Sequence, residues 1–205
     1  MNQHIALRPA TALNQSADPR VLGTIAMPGV AVAIWHRTVA PDMQAWLDDL
    51  PAARLPRLRQ VLRPCDAGVV LAAACDRAGL PEGPQRQALV SDIAELVQLA
   101  ALHLQSLMVT LRLEISDGQA CPKWHLDAVR ARLLCTLRGT GTQFGPATGA
   151  DSVASLHHVP TGSAAMFRGR NWGPEPTGIL HRSPPSTGDQ ARMLVVVDPA
   201  DEASC

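Results

Sequence analysis

The chain has 205 residues, enough for one domain with a sizeable core, and its 18 basic and 18 acidic residues leave no net charge. This balance lacks the electrostatic footprint of a protein that wraps nucleic acid or binds an anionic membrane. The cysteines are odd in number and widely spaced, which excludes a disulfide framework or a zinc ribbon. Because no charged-then-apolar leader opens the chain and no apolar run is long enough for a bilayer, we expect a cytoplasmic protein with reduced thiols.

The first half of the chain is predicted to be mainly helical. Residues 1–28 are polar and rich in turns, so we expect a loosely held segment there. Within residues 29–105, Gly29–Trp35 reads as a short apolar strand. Apolar spacing and flanking proline or glycine predict three helices, Pro41–Leu50, Val69–Leu80 and Pro84–Gln105. The arginines at 54, 57, 59 and 63 are interpreted as a solvated helix face or loop.

Residues 106–200 are predicted to form mainly β-structure. Leu107–Ile115 alternates apolar and polar residues, which is typical of a half-buried strand. Ser163–Phe167 is a second short strand, and Arg192–Asp198 has the β-branched, continuously apolar composition of a strand buried on both faces. Together with the helices, these strands indicate a single α+β domain.

One strand-like run begins with a histidine and an aspartate two positions apart, His125 and Asp127. From His125 to Leu137, alternate residues are mostly apolar, whereas the intervening positions include Arg130, Arg132 and Arg138. Residues i and i+2 share a face of a strand, so we expect His125 and Asp127 to point inward and the arginines mostly outward. A buried histidine and carboxylate need partners, and either a metal ion or a mutual hydrogen bond at a strand end could supply them.

His181 and Arg192 complete the candidate site. Two histidines and a carboxylate can cap one face of an iron(II) ion and leave the other face open for substrate and oxygen. Taken alone, His181 could instead be a polar residue at the loop boundary before Pro184 and Pro185. Arg192 follows eleven positions later, where its planar guanidinium could hold the far carboxylate of a dicarboxylate, or could simply be solvated at the strand end.

This order of His-x-Asp, distal histidine and basic residue, all on short strands, resembles the iron(II)/2-oxoglutarate-dependent dioxygenases. The resemblance covers about Leu107 to Asp198. It implies a C-terminal double-stranded β-helix (jelly-roll or cupin-like) behind an α-helical N-terminal extension. It also implies that His125, Asp127 and His181 bind iron at the catalytic centre and that Arg192 anchors 2-oxoglutarate. The sequence does not identify the substrate, which we expect to be a small molecule or a peptide, and it does not indicate the oligomeric state.

Three segments also resemble a bacterial family of domains of unknown function, number 1826. They are residues 31–37, 121–127 and 181–185.

Two features keep other functions open. The chain has no tyrosine to serve as a second anchor for the keto-acid, and Cys121 lies four residues before His125. Zinc accepts cysteine, histidine and aspartate, so the alternative is a non-catalytic zinc- or iron-binding protein of metal homeostasis, although Cys121 could equally be a small buried hydrophobe. A third possibility is an interaction module for which the barrel is only a scaffold.

Overall fold

Two β-sheets form the centre of the computed structural model, which describes residues 8–185 and 191–200. The strands found in these residues are β1 (Ala12–Ser16), β2 (Val30–Trp35), β3 (Leu58–Leu62), β4 (Val109–Ser116), β5 (Ala131–Arg138), β6 (Gln143–Pro146), β7 (His157–His158), β8 (Ala164–Arg168), β9 (Ile179–Arg182) and β10 (Arg192–Pro199). The larger sheet has the order β1-β2-β8-β5-β10-β4-β3, and the smaller one has the order β7-β6-β9. Neighbouring strands are antiparallel except for the parallel pair β1 and β2.

Three α-helices pack against the larger sheet: α1 (Pro41–Asp49), α2 (Ala67–Arg77) and α3 (Pro84–Leu104). The longest, α3, begins with a proline, whose fixed φ suits the first helical position, and is closed by Gln105 in the left-handed region (φ 51°). Its buried residues include the whole predicted apolar stripe, Leu89, Ile93, Leu96, Val97, Ala100 and Leu104. The α+β class is therefore confirmed. Within the described ranges, none of the helices has the length and apolarity that a bilayer crossing requires.

Both faces of the larger sheet are covered. On one face, Leu133 of β5 and Val195 of β10 belong to the core beneath the helices. On the other face, Leu134 and Val196 pack with Phe144 of the smaller sheet. Burial on both faces explains the continuous apolar sequence of β10. The space between the two sheets is consequently an interior in which polar side chains are shielded from water.

The N-terminal half, expected to be a mainly helical extension, supplies the strands β1, β2 and β3 to the larger sheet in addition to the three helices. The hydrophobic strand β2 lies between β1 and β8, and its first five residues are buried. β1 pairs with β2, which fixes part of the segment expected to be loosely held, while residues 1–7 of that segment lie outside the described residues.

The predicted arginine cluster is exposed, as expected, and Arg54, Arg57 and Arg63 lie in a short 3-10 helix or in loops; only Arg59 lies on a strand. β3, which contains Arg59, pairs with the outer edge of β4 and is anchored by buried Leu58 and Leu62. The backbone groups at the edge of β4 require partners, and β3 satisfies them whatever its exposed side chains are.

The predicted strand from His125 to Leu137 is also shorter than expected, because regular pairing begins only at Ala131. The preceding backbone pairs instead with a distant loop, through the bonds Gly169 N to Arg130 O, Arg170 N to Asp127 O and Asn171 N to Val129 O. Only a glycine permits this approach at 169, since a Cβ there would lie 2.0 Å from the carbonyl oxygen of Val129. The alternation of faces is therefore broken between Asp127 and β5.

The outward orientation predicted for the three arginines is wrong. Arg138 is buried and donates to the Leu50 carbonyl, and Arg130 donates to the Leu104 carbonyl. Arg132 reaches the interior between the sheets, where it contacts Asp127. With helices on one side of the sheet and the smaller sheet on the other, neither face of β5 is open to solvent.

Candidate metal centre

The two candidate histidines are brought together by their backbones. His181 lies on β9, and its N–H and carbonyl exchange hydrogen bonds of 3.1 Å with the carbonyl and N–H of His125. This isolated antiparallel bridge places the ring centroids 4.6 Å apart. His181 is only 4% exposed, whereas His125 is half-buried at the edge of the interior.

Asp127 completes a group of three ligand-bearing side chains. His181 Nε2 lies 3.0 Å from Asp127 Oδ2, and His125 Nε2 lies 3.7 Å from Asp127 Oδ1. One ligand atom from each residue lies within 4.8 Å of the others. Two imidazole nitrogens and one carboxylate oxygen form the donor set of a three-residue iron(II) site with open coordination positions. The structure thus brings together the three residues selected from the sequence, and metal binding by them remains a prediction.

The hydrogen bonding of these side chains fits a metal ion. Asp127 Oδ2 is buried and accepts no hydrogen bond of good geometry, although His181 Nε2 lies 3.0 Å from it. A buried carboxylate oxygen without a donor is costly, and a cation would remove that cost. His125 Nδ1 lies 2.9 Å from the Lys123 carbonyl, which fixes the proton on Nδ1 and leaves the Nε2 lone pair available as a ligand.

The ionisation states also suit metal binding. Burial raises the pKa of the Asp127 carboxyl, but the two histidines and the Arg132 guanidinium outweigh this effect and hold that pKa well below its usual range. Burial lowers the pKa of His181 and favours its neutral form. The pKa of His125 is raised, chiefly by its contact with Asp127. A charged carboxylate and a neutral imidazole are therefore already present at the centre of the site.

Arg192 is a buried cation at the first position of β10. Its Nε donates to the Thr140 carbonyl at 2.9 Å, and its Nη2 donates to Thr136 Oγ1 at 2.9 Å and Thr142 Oγ1 at 3.1 Å. Among the described residues, no carboxylate lies within ion-pairing distance of this guanidinium. Burial accordingly lowers the pKa of Arg192 to about 10. The alternative of a solvated strand-end arginine is wrong, because the residue is 9% exposed.

A small cavity lies beside the two candidate histidines. Its volume is about 80 Å³, and its walls include His125, His181, Thr142 and Cys121. Thr142 therefore links the cavity to Arg192, because its hydroxyl oxygen accepts a hydrogen bond from Arg192 Nη2. Cys121 is exposed, and its Sγ lies 3.7 Å from His125 Nδ1, outside the group of three ligand-bearing residues.

Three polar residues of this interior were not selected from the sequence. Thr136 and Thr142 lie in no motif, and only their contact with Arg192 identifies them. Arg132 was assigned to the wrong face of its strand. The sequence does contain one indication of the role of Thr136. It is a small polar residue in a strand whose other residues are mainly apolar.

Solved structures resemble this chain in fold. Dioxygenase for auxin oxidation 1 from Arabidopsis thaliana, solved with 2-oxoglutarate, has a TM-score of 0.56 at 10% identity over 93% of this chain and 94% of its own. The rice dioxygenase for auxin oxidation has a TM-score of 0.51 at 16% identity over 92% of this chain and 82% of its own. This likeness is one of fold, a mixed helix-and-sheet architecture with a large antiparallel sheet, and it agrees with the expectation of a double-stranded β-helix. No curated protein sequence matches the chain.

The family resemblance noted in the three short segments extends over most of the sequence. A family model described as "Protein of unknown function (DUF1826)" matches residues 16–198. The match includes all four candidate site residues, His125, Asp127, His181 and Arg192. The chain therefore belongs to the DUF1826 family.

Proposed function

We propose that the protein is an iron(II)/2-oxoglutarate-dependent oxygenase. His125, Asp127 and His181 would hold the iron, and Arg192 would bind the far carboxylate of 2-oxoglutarate. The observation that carries the proposal is a three-residue ligand group beside a small cavity, together with a buried arginine that reaches a wall of that cavity through Thr142 and has no carboxylate in ion-pairing distance among the described residues. The fold shared with structures of this enzyme class supports the same conclusion.

The donor set favours iron(II) over a closed structural zinc site. Structural zinc sites contain four protein ligands, whereas two histidines and one carboxylate leave positions for co-substrate and oxygen. When bound, iron supplies the redox chemistry by which one oxygen atom of O₂ enters the substrate and the other enters succinate as 2-oxoglutarate loses CO₂. The protein's residues would bind the metal, orient the co-substrate and shield the reaction from water.

The neighbourhood of Arg192 is suited to a carboxylate. A guanidinium fork binds a carboxylate through two parallel charge-assisted hydrogen bonds. The hydroxyl groups of Thr136 and Thr142, already within 3.1 Å of Arg192 Nη2, could reorient to donate to the same group. In this chain, which has no tyrosine, we propose that these threonines serve as the second anchor.

Apolar side chains form part of the walls of the interior. Leu134, Leu194 and Val196 line the cavity beside the histidines, and Phe167 packs against His181 with a centroid distance of 5.0 Å. These apolar side chains offer no ligand atom to a metal and limit the entry of water. Such a setting would protect a reactive substrate intermediate from side reactions.

Metal titration of variants tests the ligand assignment. His125→Ala, Asp127→Ala and His181→Ala should each weaken iron(II) binding by more than the roughly 10–100-fold typical for loss of an outer hydrogen-bond partner, as measured by anaerobic calorimetry. His158→Ala is the matched control, because it removes an exposed histidine of β7 that lies outside the group of three. Wild-type affinity in any of the three variants would refute the assignment of that residue.

A further inference from the structure

Ion pairs connect the Asp127 carboxylate to the middle of the larger sheet. Arg132 donates through Nη1 to Asp127 Oδ1, and through Nε and Nη2 to Asp198 Oδ1 (2.6 Å) and Oδ2 (2.9 Å). On the far side, Arg112 Nη2 donates to Asp198 Oδ2 at 3.0 Å. Each of these four side chains is no more than 17% exposed, so solvent screens the network little.

These ion pairs hold the side chain of Asp127, whose own backbone is not part of a regular strand. Asp127 belongs to the irregular segment before β5. Arg112, Arg132 and Asp198 lie on β4, β5 and β10, which are adjacent strands at the centre of the sheet. Because Asp198 engages Arg132 in two hydrogen bonds, it determines where the remaining guanidinium nitrogen points.

We propose that Arg132, held by Asp198, is a positioning residue that presents Asp127 Oδ2 alone to the metal. Arg132 occupies Oδ1, whereas Oδ2 is buried, accepts no hydrogen bond of good geometry and lies 3.0 Å from His181 Nε2. Ligation through one oxygen leaves one more coordination position open than ligation through both. This inference rests on the proposed metal site and concerns how its carboxylate is oriented.

Cobalt(II) is the probe for this role, because its visible spectrum responds to coordination number and its affinity can be read from the same titration. In the whole 205-residue chain, Asp198→Asn should weaken cobalt binding by about 10–100-fold and change the visible spectrum, since Arg132 would no longer be held away from Oδ2. Arg132→Lys keeps the charge but cannot bridge two carboxylates as a fork, so it should act in the same direction. It decides the question if Asp198→Asn does not fold.

Asp92→Asn provides a matched control. It disrupts a comparable pair, in which Arg37 donates to the two oxygens of Asp92 at 2.7 and 2.6 Å, but Asp92 lies on α3 outside the candidate site. It should lower the melting temperature and leave cobalt affinity and spectrum unchanged.

The outcomes separate this inference from the proposed function. Wild-type affinity and spectrum in both Asp198→Asn and Arg132→Lys would overturn the positioning role while leaving the metal site intact. An effect of Asp92→Asn as large as that of Asp198→Asn would overturn it as well. Failure of the wild-type protein to bind cobalt would instead refute the metal site on which the inference depends.

Discussion

Replacement of Arg192 by methionine should leave the stability of the fold nearly unchanged while weakening the binding of 2-oxoglutarate. Arg192 is buried with no carboxylate in ion-pairing distance among the described residues, and burial, only partly opposed by the charge of Glu114, lowers its pKa to about 10 from 12.5. Because the folded-state pKa lies below the unfolded value, the charge opposes folding at all pH values below about 10, by roughly 3 kcal/mol. Methionine removes this penalty and fills similar space.

The stability gained is offset by lost hydrogen bonds. Arg192 donates three, to Thr140, Thr136 and Thr142, each worth about 1 kcal/mol. The ligand-free variant should therefore unfold within about 1 kcal/mol of the wild type, a shift of at most about 4 °C. Loss of two charge-assisted hydrogen bonds to 2-oxoglutarate, each about 1.5–3 kcal/mol, should weaken its binding roughly 100-fold or more.

Calorimetry with the manganese-loaded protein measures the co-substrate affinity, and thermal denaturation measures the stability. Arg168→Met is the control, since Arg168 is 1% exposed and pairs with Glu175. Its loss should cost about 3–5 kcal/mol of stability and leave co-substrate affinity unchanged. Strong destabilisation of Arg192→Met with wild-type 2-oxoglutarate affinity would refute the reasoning, because Arg192 would then be a structural residue.

Three further predictions concern the same interior. Thr142→Val keeps the shape but removes the hydroxyl group, so 2-oxoglutarate binding measured by calorimetry should weaken about tenfold; an unchanged affinity would exclude Thr142 from the anchor. Cys121→Ser should leave zinc and iron affinities within about threefold, whereas a loss of about tenfold or more would make the thiolate a ligand. Because Asp127 raises the pKa of His125 above its usual value and a protonated imidazole cannot bind a metal, iron affinity should fall as the pH is lowered through that raised pKa; a pH-independent affinity would contradict ligation by His125.

The parts of the fold that were predicted correctly are those in which local periodicity reports burial. The stripe of α3 and the continuous apolar run of β10 each follow from the surface that the element must bury. The edge strands β1 and β3 were not predicted. They pair because β2 and β4 have open edges that need partners, and the sequences of β1 and β3 themselves contain little indication of a strand.

The candidate site could be predicted to the extent that its residue types and their order are distinctive. His125, Asp127, His181 and Arg192 were found from spacing and resemblance, and the structure brings the first three together. The roles of Thr136 and Arg132 depend on distant contacts with Arg192 and Asp198. They also depend on the pairing of the segment before β5 with the loop around Gly169, which leaves no periodic signal in the sequence.

An anaerobic titration of the metal-free protein with iron(II) and 2-oxoglutarate tests the central claim most directly. The proposed site predicts a visible charge-transfer band from the iron chelate that saturates at one equivalent of each and is lost in Asp127→Ala and Arg192→Ala. Absence of the band in the wild-type protein, accompanied by tight zinc binding, would contradict the oxygenase assignment and favour a metal-binding protein.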